Sequence, residues 1–132
     1  MATFKFELVS PERILMSEDV EQVVVPGGDG DFAVLAGHAP VISTIRPGIL
    51  DVTLQSGRKQ LLVKSGFAEV DPERLTVLAE WAHDLSELSA DRINKELAAA
   101  EESLAAAHDD SSRLSAFTLV EVLKGLQSAR AH

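Results

Sequence analysis

Phe4, Phe6 and Leu8 alternate with Lys5 and Glu7, and this period of two predicts a half-buried strand over residues 3–9. The same kind of pattern recurs at 20–25, 32–35, 49–54, 60–64, 67–70 and 75–80. Gln55-Ser56-Gly57-Arg58 and Asp71-Pro72-Glu73-Arg74 separate consecutive strands with hairpin turns, since glycine accepts a positive φ and proline presets its own. Short strands at this spacing, with no helix between them, predict an antiparallel sandwich or barrel.

Near Leu85 the period changes. Ser89 is placed to cap a helix with Asp91 in its first turn, and Ile93, Leu97, Ala100, Leu104 and Ala107 follow at spacings of three and four. The segment His108-Asp109-Asp110-Ser111-Ser112 interrupts this stripe and offers N-cap oxygens. Leu114, Phe117, Leu119, Val120, Leu123 and Leu126 then mark a second helix. The fold class expected is therefore an all-β N-terminal sandwich or barrel over 1–85, followed by an antiparallel two-helix hairpin over 86–132. The hairpin seam is rich in alanine and buries little area, at ~25 cal/mol per Å², so it is expected to be mobile.

Composition narrows the function. In 132 residues, 21 acidic side chains oppose 12 basic ones for a net charge of −9, which disfavours nucleic acid or an anionic membrane surface as a direct partner. No apolar run approaches the ~20 residues that span a bilayer, so direct membrane insertion is not expected. The N-terminal MATFKFELVS resembles neither a signal peptide nor a transit peptide, which favours a bacterial or plastid-encoded chain. There are no cysteines, hence no disulfides and no thiolate nucleophile.

The stretch from Gly27 to Pro47 holds the candidate chemistry. Gly28 to Ala33 fits G-x-G-x-x-A after a strand, formally a dinucleotide fingerprint. A pyrophosphate needs a helix N-terminus there, but Phe32 to Leu35 reads as strand, and Asp29 and Asp31 repel phosphate. His38 has Asp31 and Ser43 nearby, yet Ser43 lies in Val-Ile-Ser-Thr-Ile rather than on a nucleophile turn. His38, His83, His108 and His132 lack metal-ligand spacing. No catalytic residue, metal or cofactor is expected.

Four blocks in order carry a family pattern: Gly-Asp-Phe-Ala-Val-Leu-Ala-Gly-His-Ala-Pro (30–40), Arg-Pro-Gly-Ile-Leu (46–50), Ser-Gly-Phe-Ala-Glu-Val (65–70) and Leu-Thr-Val-Leu-Ala-Glu-Trp-Ala (75–82). Together with Ser-Pro-Glu-Arg at 10–13 and the helical tail, the whole chain resembles the epsilon subunits of bacterial ATP synthases, called delta in mitochondria. The resemblance implies a non-catalytic central-stalk subunit whose sandwich binds gamma and the c-subunit ring at the cytoplasmic face of a bacterial inner membrane. It further implies that the tail can extend toward the alpha/beta catalytic head and restrain ATP hydrolysis.

By this resemblance, Gly28, Gly30, Asp31 and His38 are candidates for the c-ring contact, with Gly27 shaping the loop. Arg113, Lys124 and Arg130, set against the single acid Glu121, are candidates for the catalytic head or gamma. Asp91 and Arg92 are weak candidates for ATP contact, because Asn94 stands where the related ATP-sensing motif carries arginine, and Arg92 points about 100° away. A free-standing β-sandwich binding module with an oligomerising tail remains the alternative.

Overall fold

The computed structural model describes residues 2–130. These divide into two compact units between Asp84 and Leu85.

The first unit contains ten strands: β1 (Phe4–Val9), β2 (Ile14–Val20), β3 (Gln22–Gly27), β4 (Gly30–Val34), β5 (Val41–Ile45), β6 (Gly48–Leu54), β7 (Gly57–Val63), β8 (Gly66–Val70), β9 (Arg74–Ala79) and β10 (Ala82–Asp84). The hydrogen-bonded path runs β10-β7-β6-β3-β5-β8-β9-β1-β2, with β4 paired to β3. All neighbours are antiparallel except β1 and β9.

β3 lets the path turn back on itself. Residues 22–24 pair with β6, whereas Gly27 pairs with Ile45 of β5. One strand thus serves both layers of a sandwich. Phe4, Phe6 and Leu8 from one layer and Val23, Val25, Leu50 and Val52 from the other meet in a single core. Fully burying each such side chain contributes about 1.5–3 kcal/mol, which makes this core the principal source of the unit's stability.

Every strand expected from the sequence is present, with ends shifted by no more than three residues, but three strands were missed. The 20–25 segment is not continuous: Val20 closes β2, and β3 begins at Gln22. β2 (Ile14–Val20) carries Ser17, Glu18 and Asp19 on an edge, where side chains need not alternate in burial to sustain pairing. β5 shows no alternation because Val41 and Ile42 are both exposed. β10 is only three residues long and pairs with the C-terminal end of β7.

The turn between β8 and β9 forms as the sequence predicts. Asp71 Oδ1 accepts from the backbone N–H groups of Glu73 (2.8 Å) and Arg74 (2.9 Å), so its side chain closes the turn. Between β7 and β6, Arg58 Nε donates to Asp51 Oδ1 at 2.7 Å, and Nη2 donates to Oδ2. The guanidinium hydrogen bond is the main cause holding the Asp51 carboxyl below its ordinary range. A carboxylate with a lowered folded-state pKa contributes stability above its unfolded value and loses it as pH falls through the folded one. Asp51→Asn is therefore expected to lower Tm at neutral pH, and the difference from wild type should shrink below about pH 4. Thermal unfolding of both forms against pH measures this.

The second unit holds a short 3-10 turn (Leu85–Glu87), α1 (Ala90–Ala106) and α2 (Asp110–Arg130). Ser89 caps α1, its hydroxyl accepting from Arg92 N at 3.1 Å, as the sequence predicts. Of the oxygens between the helices, Asp109 takes the capping role: Oδ1 accepts from Ser112 N at 2.7 Å. Bonds to Ser112 also hold the Asp109 carboxyl below its ordinary range.

The hairpin is antiparallel, with Gln127 Nε2 of α2 donating to Asn94 Oδ1 of α1 at 2.8 Å. Its buried stripe is Ile93, Leu97 and Ala100 against Ala116, Val120 and Leu123. Two of the apolar residues that mark the second helix in the sequence lie off this stripe. Leu114 and Phe117 are 66% and 50% exposed, because the stripe through 116, 120 and 123 occupies a different side of α2.

Candidate functional site

The stretch from Gly27 to Pro47 folds as a hairpin, a short loop and a strand. Gly27 pairs with Gly30, which leaves Gly28-Asp29 as a two-residue tip between β3 and β4. No helix follows, since residues 30–34 are β4; the dinucleotide resemblance ends there. Gly28 lies against β5, its N–H donating to Thr44 O at 2.9 Å. A Cβ at residue 28 meets Thr44 Oγ1 at 2.3 Å, so the tip can lie this close to β5 only without a side chain.

Asp31 is not a free carboxylate. Its Oδ1 accepts from Arg46 Nη2 at 2.5 Å, while Arg46 Nη1 donates to Gly27 O at 2.6 Å. The Arg46 backbone N–H donates to Pro26 O at 3.0 Å. Nothing local in Arg46-Pro47-Gly48 announces this brace, since residues 31 and 46 meet only through the fold.

His38 lies in the loop between β4 and β5. Its N–H donates to Leu35 O at 3.1 Å, Nδ1 is 2.7 Å from Ala39 O, and its ring lies 6.4 Å from the Phe32 ring. These contacts orient the imidazole locally and do not join it to Ser43, whose hydroxyl donates to Thr44 O. The His83 ring lies tilted against that of Trp81 with centroids 4.5 Å apart, and His108 lies in the link between the helices. His132 falls outside the described residues. Among the described residues, no three His, Cys, Asp or Glu side chains group as metal ligands.

A second surface was not anticipated. On the outer side of β5, β8 and β9, Phe67 stands opposite both Thr44 and Leu78, and Ile42 is one step away opposite Glu69. Ile42, Phe67 and Leu78 are 75%, 55% and 43% exposed. Their inward neighbours Ala68, Val70, Val77 and Ala79 are buried, so β8 and β9 carry apolar residues on both faces. That double-sided pattern was the available signal: β1 puts charge on its outer face, whereas β8 and β9 put Phe67 and Leu78 there. Exposed apolar residues grouped on one sheet face make that face a candidate contact surface.

The tail candidates are dispersed. Asp91 is exposed in the first turn of α1, Arg92 pairs with Glu96 at 3.4 Å, and Asn94 is engaged by Gln127. Arg113 reaches Asp110 at 3.5 Å and Ala107 O at 3.4 Å. Lys124 lies three turns along the same side of α2, about 16 Å from Arg113 at 1.5 Å per residue. Arg130 donates to Leu85 O near the base of the hairpin.

These features define a class, a two-unit chain in which a β-sandwich with a braced β3–β4 hairpin is followed in sequence by a helical hairpin. Residues 3–84 match the family described as ATP synthase, Delta/Epsilon chain, beta-sandwich domain. The chain is 47% identical over 123 residues to the ATP synthase epsilon chain of Parvibaculum lavamentivorans, covering 92% of this chain and 93% of that one. It is 45% identical over 130 residues to the epsilon chain of Rhodospirillum rubrum, covering 97% and 96%. The chain belongs to the ATP synthase delta/epsilon family.

Two solved structures share the fold. One is a chain of the Euglena gracilis mitochondrial ATP synthase OSCP/F1/c-ring assembly (TM-score 0.75, 24% identity, 98% of this chain and 82% of that one). The other is a chain of the Tetrahymena thermophila mitochondrial central stalk and c-ring (TM-score 0.70, 13% identity, 96% and 97%).

Proposed function

We propose that the chain is the non-catalytic epsilon-type subunit of an ATP synthase central stalk, coupling c-ring rotation to ATP synthesis through gamma. Its place is the cytoplasmic face of a bacterial inner membrane. The carrying observation is the identity to named epsilon chains over both the sandwich and the tail. The outer face of β5, β8 and β9 is the surface for gamma, because Ile42, Phe67 and Leu78 offer apolar area that only a partner removes from water. The β3–β4 tip and the His38 loop face the c-ring.

The hairpin is the regulatory part, reaching the catalytic head with the cations of α2 when extended. Two features support this reading: the seam of Ile93, Leu97 and Ala100 is thin, so the helices can separate, and residues 113–130 carry three bases against one acid in an acidic chain. Truncation after Leu88 is expected to leave the sandwich folded and gamma binding intact, while ATP hydrolysis by the reconstituted complex rises or stays unchanged. Loss of gamma binding on truncation contradicts this division of labour.

A further inference from the structure

Asp29 and Asp31 stand two residues apart at the β3–β4 hairpin, yet the fold uses them differently. Asp31 is held by the Arg46 guanidinium, which also binds Gly27 O; one side chain therefore ties both strands of the hairpin to the β5–β6 link. The backbone repeats the tie through Arg46 N to Pro26 O and Gly28 N to Thr44 O. A guanidinium can do this because its planar fork offers several donors in fixed directions, whereas an ammonium acts as a point charge. Asp29 occupies the exposed tip and has no hydrogen bond or ion pair among the described residues.

We infer that Arg46 is a positioning residue that, with Asp31, fixes the hairpin tip, and that Asp29 is the carboxylate the tip presents to its partner. The inference rests on the reading of the tip as the c-ring contact. It replaces Asp31 by Asp29 as the touching group. The chemistry of the partner follows from the carboxylate, which only accepts hydrogen bonds: the complementary surface is a loop bearing N–H donors or a cation. Bracing matters because a tip fixed before contact loses little conformational freedom on docking, whereas a mobile one must be ordered at that moment.

The test adds full-length Asp29→Asn, Asp31→Asn and Arg46→Met chains to a synthase depleted of this subunit. The amount that half-restores ATP-driven proton pumping is measured, along with hydrogen exchange at the Gly28 amide in each free chain. Asp29→Asn is expected to raise the half-restoring amount about fivefold, as for loss of one exposed ionic contact, with Gly28 exchange unchanged. Asp31→Asn and Arg46→Met are expected to raise it comparably and to speed Gly28 exchange severalfold, and the double variant is expected to be no worse than either alone. Arg46→Lys should fall between, keeping the charge without the fork.

If Asp31→Asn weakens restoration without changing Gly28 exchange while Asp29→Asn has no effect, Asp31 touches the partner and the inference is overturned, though the tip still faces the ring. If all these variants restore pumping at the wild-type amount, the reading of the tip as the ring contact fails as well. Should Arg46→Met not fold, the two aspartate variants decide alone, because both side chains are exposed.

Discussion

Phe67→Ser is expected to weaken binding of the chain to gamma by roughly 30-fold or more, while the free chain unfolds at nearly the same temperature as wild type. Phe67 is 55% exposed, so its removal leaves no cavity, and surface substitutions of this kind change stability by about 0.5 kcal/mol or less. At an interface the same ring, flanked by Leu78 and near Ile42, becomes a central buried aromatic. Truncating such a residue commonly costs about 2 kcal/mol or more. Binding measured by titration against gamma, beside thermal unfolding of the free chain, separates the two effects. Equal binding by both forms removes the β5–β8–β9 face from the proposal.

The second large effect concerns stability. Gly66 opens β8 with φ +155°, a conformation that L side chains rarely adopt, and a Cβ there meets the backbone carbonyl oxygen of Leu78 at 1.8 Å. That neighbour is strand backbone and cannot swing aside as a side chain could. Gly66→Ala therefore combines backbone strain with overpacking, together about 3 kcal/mol or more. The expected result is a fall in Tm of more than about 10 °C. Because β8 carries Phe67, partial loss of β8 pairing should also weaken gamma binding, and excess gamma should recover part of the lost stability by mass action. Unchanged unfolding shows that β8 relaxes away from β9 at no cost.

What the sequence disclosed, and what it hid, follows from how far each signal reaches along the chain. β1 was legible because Phe4, Phe6 and Leu8 face a core while Lys5 and Glu7 do not. The β8–β9 turn was legible because Asp71 bonds backbone only two and three residues on. Ser89 was legible as a cap for the same reason. β5 was hidden because Val41 and Ile42 are adjacent and both exposed, which breaks the alternation that a half-buried strand shows. Arg46 was hidden because its partners are 15 and 19 residues away, a distance only the folded sandwich closes. In the tail, the stripe through Ala116 was masked by the larger Leu114 and Phe117, which share the helical spacing that marks α2 although they are exposed.

The binding expectations depend on one claim, that the chain works as a stalk subunit docked through its sandwich. The most direct measurement is where the chain resides in cells that make the complete synthase, followed through washing of the membranes and detergent extraction of the complex. The account predicts that the wild-type chain stays with gamma and the c-ring at every step, and that a Phe67→Ser chain leaves them during washing. Recovery of the wild-type chain in the soluble fraction, with gamma and the c-ring retained on the membranes without it, contradicts the account.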